Sequence, residues 1–171
     1  SAVGWKAFDT EAFPSIEEQE ASSKILQPKE AIRQFLCAEE LGDFAWNKLY
    51  KCSLFQEIQY PYGRMMEDQG TTYKLLDKCQ GVAYCPVPLY FYYQRPDSIL
   101  HKRTLKFYED KWDMGCQRYQ YIREKYPDML ENDAAMMKIV EHCYPYLRKD
   151  QRRKAEMERF LQEFRTEAEG L

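Results

Sequence analysis

The chain has 171 residues, of which 44% are apolar, so it can bury one core with at most a helical appendage. Its 25 basic and 28 acidic residues leave a net charge of −3, which excludes a strong field for nucleic acid or anionic lipid. The sequence lacks both a secretory leader and an apolar run of roughly 18 residues, the length that crosses a bilayer. We therefore expect a cytoplasmic chain without a transmembrane segment and without a nucleic-acid partner.

The cysteines do not have the spacing of a metal site. They form no CxxC pair and no Cys/His ligand pattern, and the chain has only two histidines. We expect no zinc site in this chain, and thiols that pack as small apolar side chains in a reducing cytoplasm. The six are Cys37, Cys52, Cys79, Cys85, Cys116 and Cys143.

The region before Glu67 predicts two short helices. Residues 9–23 are acidic and contain a proline and paired serines, which is typical of a connecting segment. Pro28 starts a helix through about Leu41, and Ser53 opens a capping box for a short second helix. The sequence at 60–63, Tyr-Pro-Tyr-Gly, ends that helix and leads into a loop.

The next region predicts a helix and two strands. The helix runs from Glu67 to about Gln80 and ends at a glycine. Residues 82–85 and 89–93 then predict short strands joined by Pro86 and Pro88. Prolines lack the N–H that pairs strands, so both should lie at strand ends or sheet edges.

Long helices follow from Ser98 onward. Apolar residues recur every three or four positions until Pro127 breaks the first helix, and a second helix starts near Asp128 and is closed by Pro145. Residues 150–168 carry a one-sided apolar stripe, which suits packing on their own domain but also a dimer or membrane-surface contact. The predicted class is α+β and predominantly helical.

Glu67 and Asp68 are the strongest candidates for chemistry. At the start of a helix, unpaired N–H groups and the macrodipole favour the ionised form of Asp68, which a general base requires. The like charge of Glu67 opposes that effect. Acidic residues also occur in first turns simply as helix caps, so the spacing alone leaves both interpretations open.

Several sequence blocks occur in the order found in one known family. They are Ala45–Phe55 with the letters WNKLY, Gly63-Arg64 leading to Glu67-Asp68, Thr71–Leu76, Pro88–Arg95, and Ser98-Ile99. With these blocks, the stretch from about residue 2 to 100 resembles the C-terminal half of bacterial family 2 glycosyltransferases of the GT-A type. Members of this family build capsule, lipopolysaccharide and wall polysaccharides.

The resemblance implies a fold and a domain division. Residues 1–97 would be the acceptor-side half of a GT-A domain, and residues 98–171 a helical extension packed on it. The strand Val3–Phe8 resembles the one that follows the metal motif in the family, whereas Asp9-Thr10-Glu11 lacks the apolar strand and second aspartate of that motif. The nucleotide-binding half, which would hold Mg²⁺ or Mn²⁺, is therefore expected in a longer enzyme, and this piece should be inactive alone.

The resemblance also implies a reaction. The family's catalytic base maps to Asp68, which would accept the proton of an acceptor hydroxyl as that oxygen attacks a nucleotide sugar and inverts its anomeric centre. The acceptor would be a saccharide or a lipid-linked saccharide. Glu67 would orient it, and the full-length enzyme would be cytoplasmic or peripheral at the inner face of the cell membrane.

Four more residues are candidates for acceptor binding. Trp46 offers a flat face for a sugar ring, although a Trp heading a helical stripe also suits a core. Asn47 and Lys48 suit acceptor hydroxyls or donor phosphate, or an ordinary helix surface. Arg64 suits a phosphate or carboxylate clamp, or a pair with Glu67.

On the donor diphosphate side the resemblance implies Gln94, Arg95 and Ser98, which follow the last predicted strand. The aromatic run 90–93 precedes them, and successive members must face opposite sides of that strand.

A rival hypothesis treats the chain as a binding module. The helical region 98–171 exceeds what the compact family core needs and is rich in tyrosine and methionine. Under this hypothesis it is a non-catalytic module that docks a partner in polysaccharide synthesis, or forms a homodimer through its C-terminal helices.

Overall fold

A computed structural model describes residues 1–8, 22–38, 41–94 and 103–169. This part of the chain is α+β and predominantly helical, as predicted. The strands are β1 (Ala2–Phe8), β2 (Lys24–Leu26) and β3 (Val82–Tyr93). The helices are α1 (Pro28–Cys37), α2 (Thr72–Lys78), α3 (Leu105–Lys125), α4 (Glu131–Leu147) and α5 (Gln151–Glu169), with a 3-10 helix at Cys52–Phe55.

The chain divides into two compact units. Unit 1 comprises residues 1–60 and 71–102, and unit 2 comprises residues 61–70 and 103–171. The predicted domain boundary after residue 97 places residues 61–70 in the first domain, whereas in the structure they group with unit 2. This ten-residue segment carries the acid pair and is called the acid loop below.

Unit 1 contains a three-stranded sheet with the order β1-β3-β2. Strand β1 pairs in parallel with β3, and β2 pairs antiparallel to it. The prediction of two short strands is wrong, because residues 82–93 form one continuous strand. Strand β2 was not predicted, since three residues are too few to show an alternating pattern.

An irregularity lets two prolines lie within the central strand. Val3 is opposite Cys85, but Gly4 is opposite Pro88, so two residues of β3 are skipped. Within the described residues β2 pairs with β3 only at positions 82–84, so Pro86 and Pro88 lie where β3 has β1 as its one neighbour, at the sheet edge that was predicted. The bulge also tolerates residues without an N–H. At this bulge a Cβ on Gly4 would collide with the Pro86 carbonyl oxygen, so the strands approach closely only because residue 4 is glycine.

Both helices of unit 1 are shorter than predicted. Helix α1 buries its predicted apolar face but ends at Cys37, because Ala38 is left-handed, with φ of 54°, and its N–H bonds back to the last turn. Helix α2 starts at Thr72 instead of Glu67, and residues 67–70 form turns. The short helix near Ser53 is a 3-10 turn without a side-chain cap.

Unit 2 packs three helices around an aromatic core. Gly115 of α3 allows close approach of α4, since a Cβ there would lie 2.7 Å from Ile139 Cδ1. Helix α4 begins at Glu131 and continues through Pro145, so the predicted closure is wrong; it ends at the buried Leu147. In the described ranges, no helix has the length and apolar character to cross a membrane.

Helix α5 contributes its apolar stripe to the core of unit 2. Met157 is buried, and the Phe160 ring meets Trp112 and Tyr119 edge to face, with centroids 5.9 and 5.2 Å apart. This favours the interpretation that the stripe packs on its own domain.

We predict that Gly4→Ala destabilises unit 1 by about 2 kcal/mol, because the new methyl group collides with backbone that cannot rotate away. Gly81→Ala is the matched control, since its Cβ would lie 3.2 Å from the side-chain methyl of the exposed Ile25, which can move. Urea unfolding followed by tryptophan fluorescence measures both. Equal stabilities for the two variants would contradict the close approach at Gly4.

Candidate functional site

The acid loop is fixed to helix α3 just before the acid pair. The Arg64 guanidinium pairs through Nε with Asp110 Oδ1 at 3.0 Å and through Nη2 with Asp113 Oδ2 at 2.7 Å. The backbone N–H of Met65 donates to Asp110 Oδ2 at 2.8 Å. The hydrogen bonds from Arg64 Nη2 to Asp113 and from the Met65 N–H to Asp110 each involve a charged group, which makes them stronger than hydrogen bonds between neutral groups. The contact of Arg64 Nε with Asp110 is an ion pair without hydrogen-bond geometry.

The acid loop is also fixed to α3 just after the acid pair. Gln69 is 2% exposed and its side-chain amide donates to the Lys111 carbonyl at 3.1 Å. Gly70 packs closely on Met114, where an added Cβ would lie 3.2 Å from Cγ and closer still to the sulfur. Residues 110–114 of one helix therefore hold both sides of the acid pair.

Asp110 is the most buried charge in this arrangement, with its side chain 3% exposed. Lys106 Nζ lies 2.6 Å from the second carboxylate oxygen. Burial opposes ionisation, but the hydrogen bonds from Lys106 and from the Met65 N–H, together with the Arg64 charge, hold the pKa of Asp110 below its ordinary value. Asp110 is therefore a carboxylate at neutral pH.

The acid pair itself lies at the surface of the loop. Glu67 is exposed, and Asp68 is half-buried, with Oδ1 accepting the Gln69 N–H at 2.8 Å. Met66 is left-handed, with φ of 59°, a conformation that costs about 1 kcal/mol for a residue with a Cβ. The predicted helix start at Glu67 is wrong, because the contacts with residues 110–114 of α3 hold this segment out of the helix. The expected effect of the helix macrodipole on Asp68 therefore does not apply.

Among the ion pairs of the described residues, Arg64 does not contact Glu67, one of its two predicted partners. Its fork clamps carboxylates, but they are Asp110 and Asp113 of the same unit and not Glu67. The hydrogen bond to Asp113 is the main cause that raises the pKa of Arg64 above its ordinary value. Its predicted contact with an acceptor stays a prediction.

The predicted residue Trp46 lies in an aromatic cluster of unit 1. Phe44, Tyr90 and Tyr92 stack on its indole, with centroids 4.7, 4.5 and 5.0 Å away, and Trp5 meets it edge to face at 5.3 Å. Tyr90 and Tyr92 thus share one side of β3, as the strand alternation predicted. The indole therefore packs on other aromatic rings, but Trp46 is half-buried and not fully enclosed.

Asn47 and Lys48 are buried, at 1% and 8% exposed, and bind backbone. The Asn47 amide donates to the Val3 carbonyl at 3.2 Å, which ties this segment to β1. The Lys48 ammonium donates to four oxygens, namely Leu41 O at 2.7 Å, Gly42 O at 3.1 Å, Phe44 O at 2.6 Å and Asn47 Oδ1 at 2.8 Å. Neither is the ordinary helix surface that the sequence offered as the alternative.

The remaining predicted residues fall into three places. Gln94 is exposed and directly follows β3. Arg95 and Ser98 lie outside the described residues, as does the triplet 9–11. Arg64 and the acid pair belong to unit 2, whereas Trp46, Asn47, Lys48 and Gln94 belong to unit 1.

A pocket of about 360 Å³ opens in unit 1 away from the aromatic cluster. Its lining includes Lys51, Ser53, Lys78 and Cys79, and Lys48 is the one predicted site residue that contributes to it. Within the described ranges, no group of three or more His, Cys, Asp or Glu side chains is placed to hold a metal ion. The divalent cation that the resemblance implies would be held by the other half of the longer enzyme, and it stays a prediction.

The α3 residues that hold the acid loop were missed by the sequence analysis. One signal was available, since Asp110 follows Phe107 by three positions and precedes Met114 by four, on a helical face that is otherwise apolar. A carboxylate on a buried face needs a charged or N–H partner, which points to an unrecognised polar contact.

Comparison with models of known protein families gives no match for this chain, and comparison with curated protein sequences gives none either. The glycosyltransferase resemblance stays a prediction from the sequence motifs.

All six cysteines lie in the described ranges, and none forms a disulfide. Burial is the main cause that raises the pKa of Cys116 to about 12 and that of Cys143 to about 11. Cys52 is exposed. The thiols thus differ mainly in access and in their readiness to ionise.

We predict that Lys48→Met lowers the free energy of unfolding by about 3 kcal/mol, because three backbone carbonyls lose their donor inside the protein. Lys51→Met, three residues on and exposed, is the matched control and should change stability by less than about 0.5 kcal/mol. Urea unfolding of both variants makes the comparison. A loss no larger than that of the control would show that Lys48 has no structural role.

We also predict an order of thiol alkylation. Iodoacetamide at pH 8 should modify Cys52 first, and should modify Cys116 and Cys143 only after unfolding, since the thiolate is the reactive form. Peptide mass spectrometry over a time course gives the order. Early modification of Cys143 in the native protein would contradict its burial.

Proposed function

We propose that this chain is the acceptor-side part of an inverting glycosyltransferase, with Asp68 as its general base. The donor would be a nucleotide sugar and the acceptor a saccharide or a lipid-linked saccharide. The proposal places the enzyme in the cytoplasm or at the inner face of the membrane, where nucleotide sugars would reach it.

The reaction is a single displacement. The acceptor oxygen forms a bond to the anomeric carbon while the bond from that carbon to the diphosphate oxygen breaks, and the electron pair of that bond leaves with the nucleoside diphosphate. The proton of the acceptor hydroxyl passes to the Asp68 carboxylate, which must lie within hydrogen-bond reach of it. One carboxylate is enough, because the diphosphate leaves without a proton.

The observation that carries the proposal is that the acid pair lies on a short segment fixed on both sides. A base gains from being held in place, since misplacement by about 1 Å can cost 100-fold in rate. The left-handed Met66, directly before the pair, is the kind of local strain that persists where surrounding contacts impose it, and such strain is enriched at active sites.

The two acids have different surroundings, which suits different roles. Asp68 is half-buried and oriented by the Gln69 N–H, so it is the better placed for proton transfer. Glu67 is exposed and is proposed to bind an acceptor hydroxyl. No step involves a metal held by the described residues.

We predict that Asp68→Asn in the full-length enzyme lowers kcat by at least about 1000-fold, because the amide cannot accept the proton. Glu67→Gln should cost about tenfold and act mainly through the KM for the acceptor. Transfer from a nucleotide sugar to a saccharide acceptor is measured by release of nucleoside diphosphate.

The folded state of Asp68→Asn is checked by its unfolding midpoint, which should match that of the unmodified protein. Transfer at an undiminished rate by a folded Asp68→Asn enzyme would remove Asp68 from the base role.

A further inference from the structure

We propose that Asp110 is a positioning residue that sets the place of the acid pair for catalysis. This inference rests on the proposed function and extends it to a residue of the helical region. The Asp110 carboxylate binds the acid loop at Arg64 and Met65, which lie two to four residues before Glu67 and Asp68.

The contact at Met65 is what distinguishes Asp110 from the other acids of α3. Oδ2 accepts a backbone N–H of the loop at 2.8 Å, so the contact fixes the main chain and does not depend on a loop side chain. Oδ1 takes the Arg64 guanidinium, which fixes the preceding residue as well. Asp113, by contrast, accepts from the Arg64 side chain and so depends on it.

Lys106 completes the arrangement from within α3. Its ammonium lies 2.6 Å from the same oxygen that accepts the Met65 N–H. The Lys106 charge keeps the carboxylate ionised and points it along the helix surface toward the loop. The Asp110 side chain is 3% exposed, whereas those of Lys106 and Arg64 are 53% and 34% exposed, so only the carboxylate end of these contacts is shielded from water.

The left-handed Met66 gives this contact a consequence for the acid pair. A residue with a Cβ leaves that conformation when its neighbours no longer impose it. Met65 and Met66 also pack on the core of unit 2, so their side chains report the loop position. Loss of the bond from the Met65 N–H should therefore let Met66 leave the left-handed conformation. The carboxylates of Glu67 and Asp68 should then change orientation.

The helix offers a matched control one residue earlier. Glu109 carries the same charge and pairs with Arg153 of α5 at 2.9 Å, a contact that does not involve the acid loop. Glu109→Gln removes one charge and one ion pair from α3, whereas Asp110→Asn removes one charge and two ion pairs, with Arg64 and Lys106. Only the second substitution weakens a bond to the loop.

The test measures acceptor and donor kinetics of the full-length enzyme and the methyl NMR shifts of Met65 and Met66. Asp110→Asn should lower kcat by about 30-fold with each KM within about threefold, and should shift both methionine methyl signals. Glu109→Gln should keep kcat within about twofold and leave the signals in place. A folded Asp110→Asn enzyme with unchanged kcat, or an equal loss in Glu109→Gln, would overturn the proposal.

A second variant covers the case in which Asp110→Asn does not fold. Arg64→Lys keeps the positive charge but loses the two-pronged fork, so it should lower kcat by about fivefold and move the same methyl signals by less. No change in either readout would also overturn the proposal.

Failure of the proposed function is recognised separately. If folded Asp68→Asn transfers sugar normally, the base role falls, and with it the catalytic meaning of Asp110. The methyl shifts would then still show whether Asp110 holds the loop.

Discussion

The buried carboxylate of Asp110 is the interaction on which the arrangement of the acid loop depends. It gathers two cations and one backbone N–H around a single side chain that is 3% exposed. Lys106 and Arg64, whose side chains are 53% and 34% exposed, can regain water when that carboxylate is removed, whereas the Met65 N–H loses its acceptor. Such a cluster imposes the conformation of the segment it binds, and here that segment includes the left-handed Met66 and leads directly to the acid pair.

The periodicity of the sequence predicted the long helices and the buried faces well, because those elements follow the local spacing of apolar residues. It failed where tertiary contacts outweigh local preference. Residues 67–70 have the composition of a first helical turn, yet α3 holds them as turns, and Pro86 and Pro88 lie inside a strand because Gly4 permits a bulge. Contacts between distant segments leave no periodic trace in one sequence.

In the candidate site, too, local sequence features could be predicted and tertiary contacts could not. The acid pair was identifiable from its motif, whereas the helix that holds it was not. The side chains of the earlier WNKLY block have structural contacts in unit 1. Lys48 bridges three backbone carbonyls, and the half-buried Trp46 stacks on three rings. A motif thus mixes residues that face a ligand with residues that shape the backbone, and composition cannot separate them. Burial and hydrogen bonding in the structure can separate them, because a side chain whose polar atoms are already bonded inside the protein has few donors or acceptors free for a substrate.

Amide hydrogen exchange at Met65 tests most directly whether Asp110 holds the acid loop. If the bond exists in solution, the Met65 N–H exchanges at least about 100-fold more slowly than in an unfolded chain. Protonation of Asp110 in acid, or its replacement by alanine, should remove most of that protection and leave the amides in the middle of α4 protected. Exchange of Met65 at the unfolded rate in the native protein would show that the loop is not held, and the acid pair would lose its fixed place.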